Sequence, residues 1–410
     1  MHFHQVVKCL AAWMAPLLAI AAIETSAMAA SPGSDFIYLE SNSTAGNSIF
    51  AYSFNFTSGP MLIQTAPAGG IGVFDGTFAL GPFDSDQNLI EDRTGTTLFA
   101  VNSGSNTIAV FDIQQDGGLV PVGGSPFPSG GSDPVSVGLS GDTLLVVNKD
   151  QDPAQAGTAT GAILPNYTTF RVLPGGQLLP VPNSTVSVEY GSSPSQALMG
   201  NLFNVAFGAD FLGGLVQSFS INPFGQLQQN LPQALPNSVF TGLTGGHQPL
   251  GMRTHPTLPI LYVDITPVSK VAVYTYDFDG QLNFVRAVAD AGAAPCWAVV
   301  SHDGSHLYVT NTGDNSIEVY SLADPLNPTP IQHFVMAPTS GGAVFSTVVD
   351  HSDNWLYVSS EQSSATATVA ANAFHTLKIA EDGTLTEPFA PTVLPVTSTP
   401  AVRVQGITVH

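Results

Sequence analysis

The feature that most limits what this chain can fold into is a short, strand-like phrase that keeps returning. Leu307-Tyr308-Val309-Thr310-Asn311 has counterparts in Leu98-Phe99-Ala100-Val101-Asn102, Leu144-Leu145-Val146-Val147-Asn148, Leu261-Tyr262-Val263 and Leu356-Tyr357-Val358. Weaker forms stand at Phe36 to Leu39 and at Leu202 to Val205. Leu98 to Leu144 and Leu261 to Leu307 are each 46 residues apart, and Leu307 to Leu356 is 49. These intervals match the roughly 40 to 50 residues that one four-stranded propeller blade needs. Around the clearest copy, the apolar run Trp297 to Val300, then Leu307 to Thr310, then Ile317 to Tyr320 read as successive strands. Asp303-Gly304 reverses the chain between the first two.

A second mark counts the same units independently. A Gly- or Pro-rich turn follows each third strand, at Thr57-Ser58-Gly59-Pro60, Asp116-Gly117-Gly118, Pro174-Gly175-Gly176, Pro223-Phe224-Gly225, Asp279-Gly280, Pro325-Leu326-Asn327-Pro328 and Asp382-Gly383. Seven middle strands and seven outer turns predict an all-β, seven-bladed β-propeller of four-stranded antiparallel blades, one domain over residues 30–410. The 40 glycines, 31 prolines and only 10% charged residues fit a turn-dense β chain rather than a helical or disordered one.

Such a ring must seal its first blade to its last, or an open sheet edge invites aggregation. Gly406-Ile407-Thr408-Val409-His410 reads as an innermost strand with nothing after it, and Phe36 to Leu39 as a middle strand with none before it. The two are expected to pair, so that both termini build the first blade. Strand direction then sorts the loops. Lead-in loops before innermost strands share one face with the loops after middle strands; the Asp-Gly hairpins and the outer turns lie on the other. The longest connections, Gln151 to Pro165, Phe207 to Gly214 and Glu361 to Ala371, fall on the lead-in face. They read either as the lining of a central pocket or as tolerated surface insertions.

At the start of the chain, Lys8 precedes an apolar run from Cys9 to Ile23, and Ala27-Met28-Ala29 supplies a small-x-small cleavage pattern. Residues 1–29 are expected to be a secretory signal peptide, because the run is shorter than the roughly 20 residues needed to span a bilayer. The mature protein is therefore expected to be exported, periplasmic or extracellular, without membrane insertion. Removal of that segment leaves Cys296 as the lone thiol, so no internal disulfide is expected.

Thirty acidic against 9 basic residues give a net charge of −21. That field repels phosphate backbones and anionic headgroups, which excludes nucleic acid as a partner. The acids are dispersed, as a solubilising surface would be, and a monomer is expected.

The phrase Leu307 to Asn311, followed by Asp314-Asn315-Ser316-Ile317 and Val319-Tyr320 and preceded by Ala294-Pro295 and Ser301-His302-Asp303-Gly304, resembles the YVTN-type blade repeat of the lactonase-like seven-bladed propellers. That group includes 6-phosphogluconolactonases and carboxymuconate cyclases. The resemblance covers Thr94 to Val122 and Gly246 to Tyr320 well, Phe345 to Leu385 fairly, and little else. It implies histidine, arginine and glutamate around a channel mouth, with histidine two residues after the lead-in proline. This chain departs there: the positions hold Ser136, Gln196, Gly251 and Trp297, and Ser346 in the last blade.

The residues that remain for chemistry are few. Arg253 sits in an innermost strand of a chain poor in cations, where it could grip a carboxylate or pair with an acid such as Asp264. His247, in the loop before Pro249, carries an imidazole of the kind that serves in proton transfer, or is simply solvated. Glu361 matches the position after the family's middle-strand asparagine, where glutamate recurs, and Lys149 holds the same position after Asn148. His247, Arg253 and Glu361 are the expected catalytic set, with water activated by His247 or Glu361 and the oxyanion held by Arg253. Lys149, Trp297 and Gln196 are the expected ligand contacts. No organic cofactor is implied and no metal is expected. Asp133, Asp150, Asp152 and Asp314 could join a calcium site with loop carbonyls but form no EF-hand-like run, and His302 and His306 lie near a reversal, with no histidine pair spaced as a zinc site on one strand.

Two functions follow. One is an exported lactonase-like enzyme acting on a small lactone or carboxylic acid. The other is a non-catalytic propeller that binds a protein, glycan or small ligand at its mouth.

Overall fold

The structure is a computed structural model that describes residues 35–74, 85–149, 164–189, 191–240, 247–339, 341–362, 369–396 and 402–410. The expected signal segment and most of Gln151 to Pro165 lie outside the described residues.

Seven sheets are arranged as expected, each an antiparallel run from an innermost to an outermost strand. The fifth blade is representative: Pro249–Thr254 innermost, then Ile260–Ile265, Lys270–Tyr276 and Leu282–Ala289. Four sheets add a fifth short strand, so that Phe127–Pro128, Val186–Ser187, Gln233–Ala234 and Thr392–Val393 each lie against a third strand.

The repeated Leu-Tyr-Val phrase exists because a middle strand is buried on both faces. Side chains alternate along a strand, so Leu261 and Val263 pack into the core shared with the fourth blade, whereas Tyr262 packs into that shared with the sixth. Seven such apolar clusters fill the seven gaps between neighbouring blades. The tyrosine has a second duty. Tyr262 Oη donates to Pro325 O at 2.9 Å, and Tyr38 Oη to Gly117 O at 3.0 Å. Each hydroxyl thus reaches the outer turn of the following blade and satisfies a backbone carbonyl there, which links the two repeated marks physically.

Closure is as the sequence predicts. Gln405–Val409 is the innermost strand of the first blade and pairs with Asp35–Glu40, with Ile37 opposite Val409, Tyr38 opposite Thr408 and Leu39 opposite Ile407. Phe36 and His410 exchange backbone hydrogen bonds of 3.0 and 2.8 Å just beyond that register.

The fourth blade corrects the sequence reading. Its middle strand is Val205–Asp210, not Leu202 to Val205, so residues 207–210 belong to the strand rather than to a loop. The Leu202-Phe203 pair mimics the repeat, but Phe203 adopts a φ of 65° and is exposed in the reversal after the short innermost strand Leu198–Met199. The true strand, Val-Ala-Phe-Gly-Ala-Asp, is rich in small residues and carries little of the repeat's signal. Glu361 likewise sits inside its middle strand, Trp355–Gln362, not in the loop beyond it.

Candidate functional site

Innermost strands converge on the axis, and this convergence decides what the positions two residues after the lead-in prolines can hold. At Gly251 an added Cβ would fall 2.3 Å from Cys296 O and 2.7 Å from Asp264 Oδ2. No side chain fits there, histidine included. At Ser136 and Gln196 these positions brace one blade to the next. Ala197 N donates to Ser136 Oγ at 2.9 Å. Gln196 receives Met252 N on its Oε1 at 2.7 Å and donates from Nε2 to Met252 O at 3.1 Å and to Gln87 Oε1 at 2.8 Å. Trp297 is fully buried against Phe345, ring centroids 5.3 Å apart, in an apolar cluster with Phe211, Leu250 and Cys296. The departure from a histidine pattern is therefore a girdle that ties innermost strands together.

Arg253 follows Met252 in the same strand. Met252 fills the core toward the fourth blade, so alternation turns Arg253 the other way. Its Nη2 lies 2.8 Å from Asp86 Oδ2, and its Nη1 donates to Gln87 Oε1 at 3.2 Å and to Met252 O at 3.1 Å. The acid expected as its alternative partner, Asp264, makes no hydrogen bond to it. Asp264 is fully buried with neither oxygen paired among the described residues. Burial first, then the nearby Asp290, pushes its carboxyl well above the ordinary range against the opposing pull of Arg253.

Arg253 opens onto a cavity of about 580 Å³ at the hairpin end of the channel. Arg93, Pro256, Thr257, Ser301 and His302, all from reversals between innermost and middle strands, form its mouth, and Asp86 and Gln87 close its depth. Among its ionisable lining groups are two arginines and one histidine against one carboxylate, Asp86, in a chain with 9 basic and 30 acidic residues overall. Arg253 is paired with Asp86 and His302 Nδ1 with Asp353 Oδ1 at 3.0 Å, so the lining carries one arginine, Arg93, in excess within a strongly anionic molecule.

The other expected residues lie elsewhere. His247 stacks on Phe240 at 4.0 Å and 8° beside the 211–214 turn, and does not line this cavity. Glu361 is fully buried toward the lead-in end, where Gln405 Nε2 donates to its Oε2 at 3.2 Å. Lys149 is also fully buried, its backbone N donating to Asp133 O at 2.8 Å. Of the six residues singled out, the structure brings Arg253 to the open cavity and joins Gln196 to it through Gln87; it does not gather His247, Arg253 and Glu361 around this cavity. Asp86 and Gln87 went unnoticed in the sequence because they precede a three-residue innermost strand, Leu89–Glu91, with no repeat phrase of its own.

No family model matches the chain, and no curated protein does either. Solved structures do. A Bacteroides fragilis protein proposed to be a 6-phosphogluconolactonase superposes with a TM-score of 0.66 at 16% identity, covering 93% of this chain and 99% of its own. The Pseudomonas aeruginosa periplasmic gluconolactonase gives 0.66 at 16%, covering 90% and 99%. The fold neighbours are lactonase-like seven-bladed propellers. A hypothetical selenium-binding protein of Sulfolobus tokodaii also superposes, with a TM-score of 0.63 at 10% identity over 92% of this chain and 94% of its own. The likeness therefore shows the fold and leaves the chemistry to the site. No helix among the described residues is long and apolar enough to cross a membrane.

Proposed function

We propose that this protein is an exported, lactonase-like propeller that binds a small carboxylate or its lactone in the hairpin-end cavity, with Arg253 as the anchor. The observation that carries the reading is the Arg253 guanidinium, held by Asp86 at 2.8 Å and by Gln87, facing a cavity of about 580 Å³ that Arg93 also lines. With Nη1 given to Gln87 and Met252 and one Nη2–H to Asp86, the guanidinium has Nε–H and its second Nη2–H left to offer a carboxylate, and a prepositioned group loses little freedom on binding. The cavity lies within the roughly 300–1,000 Å³ range of small-molecule sites. Export is supported by the apolar run Cys9 to Ile23 with its Ala27-Met28-Ala29 cleavage pattern, and by a periplasmic fold neighbour.

Lactone hydrolysis is the second reading, favoured by the Arg253–Asp86 pair itself. Arg253 would stabilise the oxyanion as water attacks the carbonyl, and Asp86 is the carboxylate in the cavity able to take the proton from that water. The fully buried Glu361 and the stacked His247 stand outside this scheme. Calorimetric titration of the purified protein with gluconate and glucono-1,5-lactone tests the binding reading: both bind, and Arg253→Met weakens each by roughly tenfold or more, the worth of a lost charge-assisted hydrogen bond. Unchanged affinity in a folded Arg253→Met protein would sink it. Acid release from the lactone, abolished by Asp86→Asn, separates hydrolysis from binding alone.

A further inference from the structure

A second cavity, of about 310 Å³, lies away from the channel between the third and fourth blades. Val188 and the rim residue Glu189 come from the third-blade side, Ser192 from the connection, and Asp210, Gln217 and Gln229 from the fourth blade. Its lining holds two carboxylates and no lysine, arginine or histidine.

Asp210 ends the strand Val205–Asp210, whose alternate residues Ala206, Gly208 and Asp210 face the third blade. Position 208 is glycine because Tyr167 already fills that space: an added Cβ would lie 2.0 Å from its hydroxyl. Gln217 Nε2 donates to Asp210 Oδ2 at 2.5 Å, and Gln229 Nε2 donates to Gln217 Oε1 at 2.7 Å, which fixes the Gln217 amide from the surface inward. Asp210 is 1% exposed, and its Oδ1 has no partner among the described residues. Ser192 Oγ is unpartnered in the same way. Native folds rarely leave buried polar atoms unpaired, so an acceptor on Asp210 and a hydroxyl on Ser192 at one cavity can take a polar partner from outside. Burial also pushes the Asp210 carboxyl up to about 7.

We propose that this cavity binds a small primary-ammonium compound, its N–H groups pairing with Asp210 Oδ1 and Ser192 Oγ while Glu189 attracts the charge from the rim. An anion would meet two carboxylates and no compensating base. A bare calcium ion wants about six to eight oxygens, and no group of three or more metal-ligating side chains occurs among the described residues. An ammonium supplies both the charge and the donors. This site is separate from the channel and does not rest on the reading of Arg253.

The test is calorimetric titration of the full-length mature protein at pH 8 with ethanolamine, with choline as the same cation lacking N–H donors, and with calcium chloride. Ethanolamine is expected to bind at least tenfold more tightly than choline, and calcium not to compete with it. Affinity should fall from pH 8 to pH 6, because Asp210 must give up its proton. The groups facing Asp210 are Gln217, Tyr167 across the blade gap and Glu189 at the rim, with His247 behind Gly214 on the far side of the turn. Asp210→Asn should cost roughly tenfold or more in affinity, about one charge-assisted hydrogen bond. If that variant fails to fold, exposed Glu189→Arg serves instead and should abolish ethanolamine binding by repulsion. The proposal is overturned if folded wild-type protein gives no ethanolamine signal, if choline binds equally, if calcium displaces the amine, or if Glu189→Arg binds as wild type does.

Discussion

Removing residues 405–410 should unfold this protein rather than trim it. The segment contributes Ile407, 7% exposed, and Val409, 3% exposed, to the core between the seventh and first blades. Burying each is worth about 1.5–3 kcal/mol. Its backbone pairing with Asp35–Glu40, extended by the Phe36 and His410 bonds, adds several hydrogen bonds of about 0.5–1.5 kcal/mol net each. The sum, about 5–10 kcal/mol as an upper bound, rivals the roughly 5–15 kcal/mol by which a domain is stable. Trp355 lies in the same closing cluster, with Phe54 at 4.8 Å between ring centroids, and reports on it by fluorescence. In urea titrations the truncated protein should show no folded baseline. Val409→Ala should fold and lose about 1–3 kcal/mol, the range for a buried aliphatic truncation. A truncated protein with the full-length midpoint and slope would refute latching by the C-terminal strand.

Tyr262→Phe should lower stability by about 1–2 kcal/mol, because Pro325 O loses the hydroxyl that reaches it across the blade gap; thermal unfolding checks this. Gln196→Ala should cost about 1–3 kcal/mol, since Met252 N loses its acceptor while Met252 O and Gln87 Oε1 keep only the Arg253 donor; a variant as stable as wild type would show that the girdle carries no load. Asp210 has a folded-state pKa raised from 3.8 to about 7, so its contribution is at full strength below the unfolded value and is lost as pH rises through the folded one. Wild-type stability should therefore decline from about pH 4 to pH 7 relative to Asp210→Asn, and equal slopes in urea midpoints across that window would contradict the assignment.

How much of this was legible in the sequence depends on what the repeat encodes. Leu261-Tyr262-Val263 announces a strand buried on both faces, and Asp279-Gly280 the turn after a third strand, because both are local demands of one blade. Blade count and closure followed from them. In the fourth blade, Ala206 and Gly208 replace bulk where Tyr167 crosses from its neighbour, so the demand is set by another blade and the local phrase disappears. The site was less legible for the same reason. Arg253 stood out as a cation in an innermost strand, but its partners Asp86 and Gln87 come from a distant blade and belong to no motif. Trp297 and Gln196 look like mouth residues by position, whereas the close approach of innermost strands turns them into packing and bracing. The family's histidine position is empty at Gly251 because the Cys296 carbonyl and the Asp264 carboxylate crowd the space a side chain would need.

The most direct measurement of the central claim is a crystal structure of the protein soaked with gluconate. The account predicts ligand density in the hairpin-end cavity, with the carboxylate about 3 Å from the Arg253 guanidinium nitrogens, the distance of a charge-assisted hydrogen bond. Density at the lead-in face near Glu361 or His247, with the Arg253 cavity holding solvent alone, would contradict it.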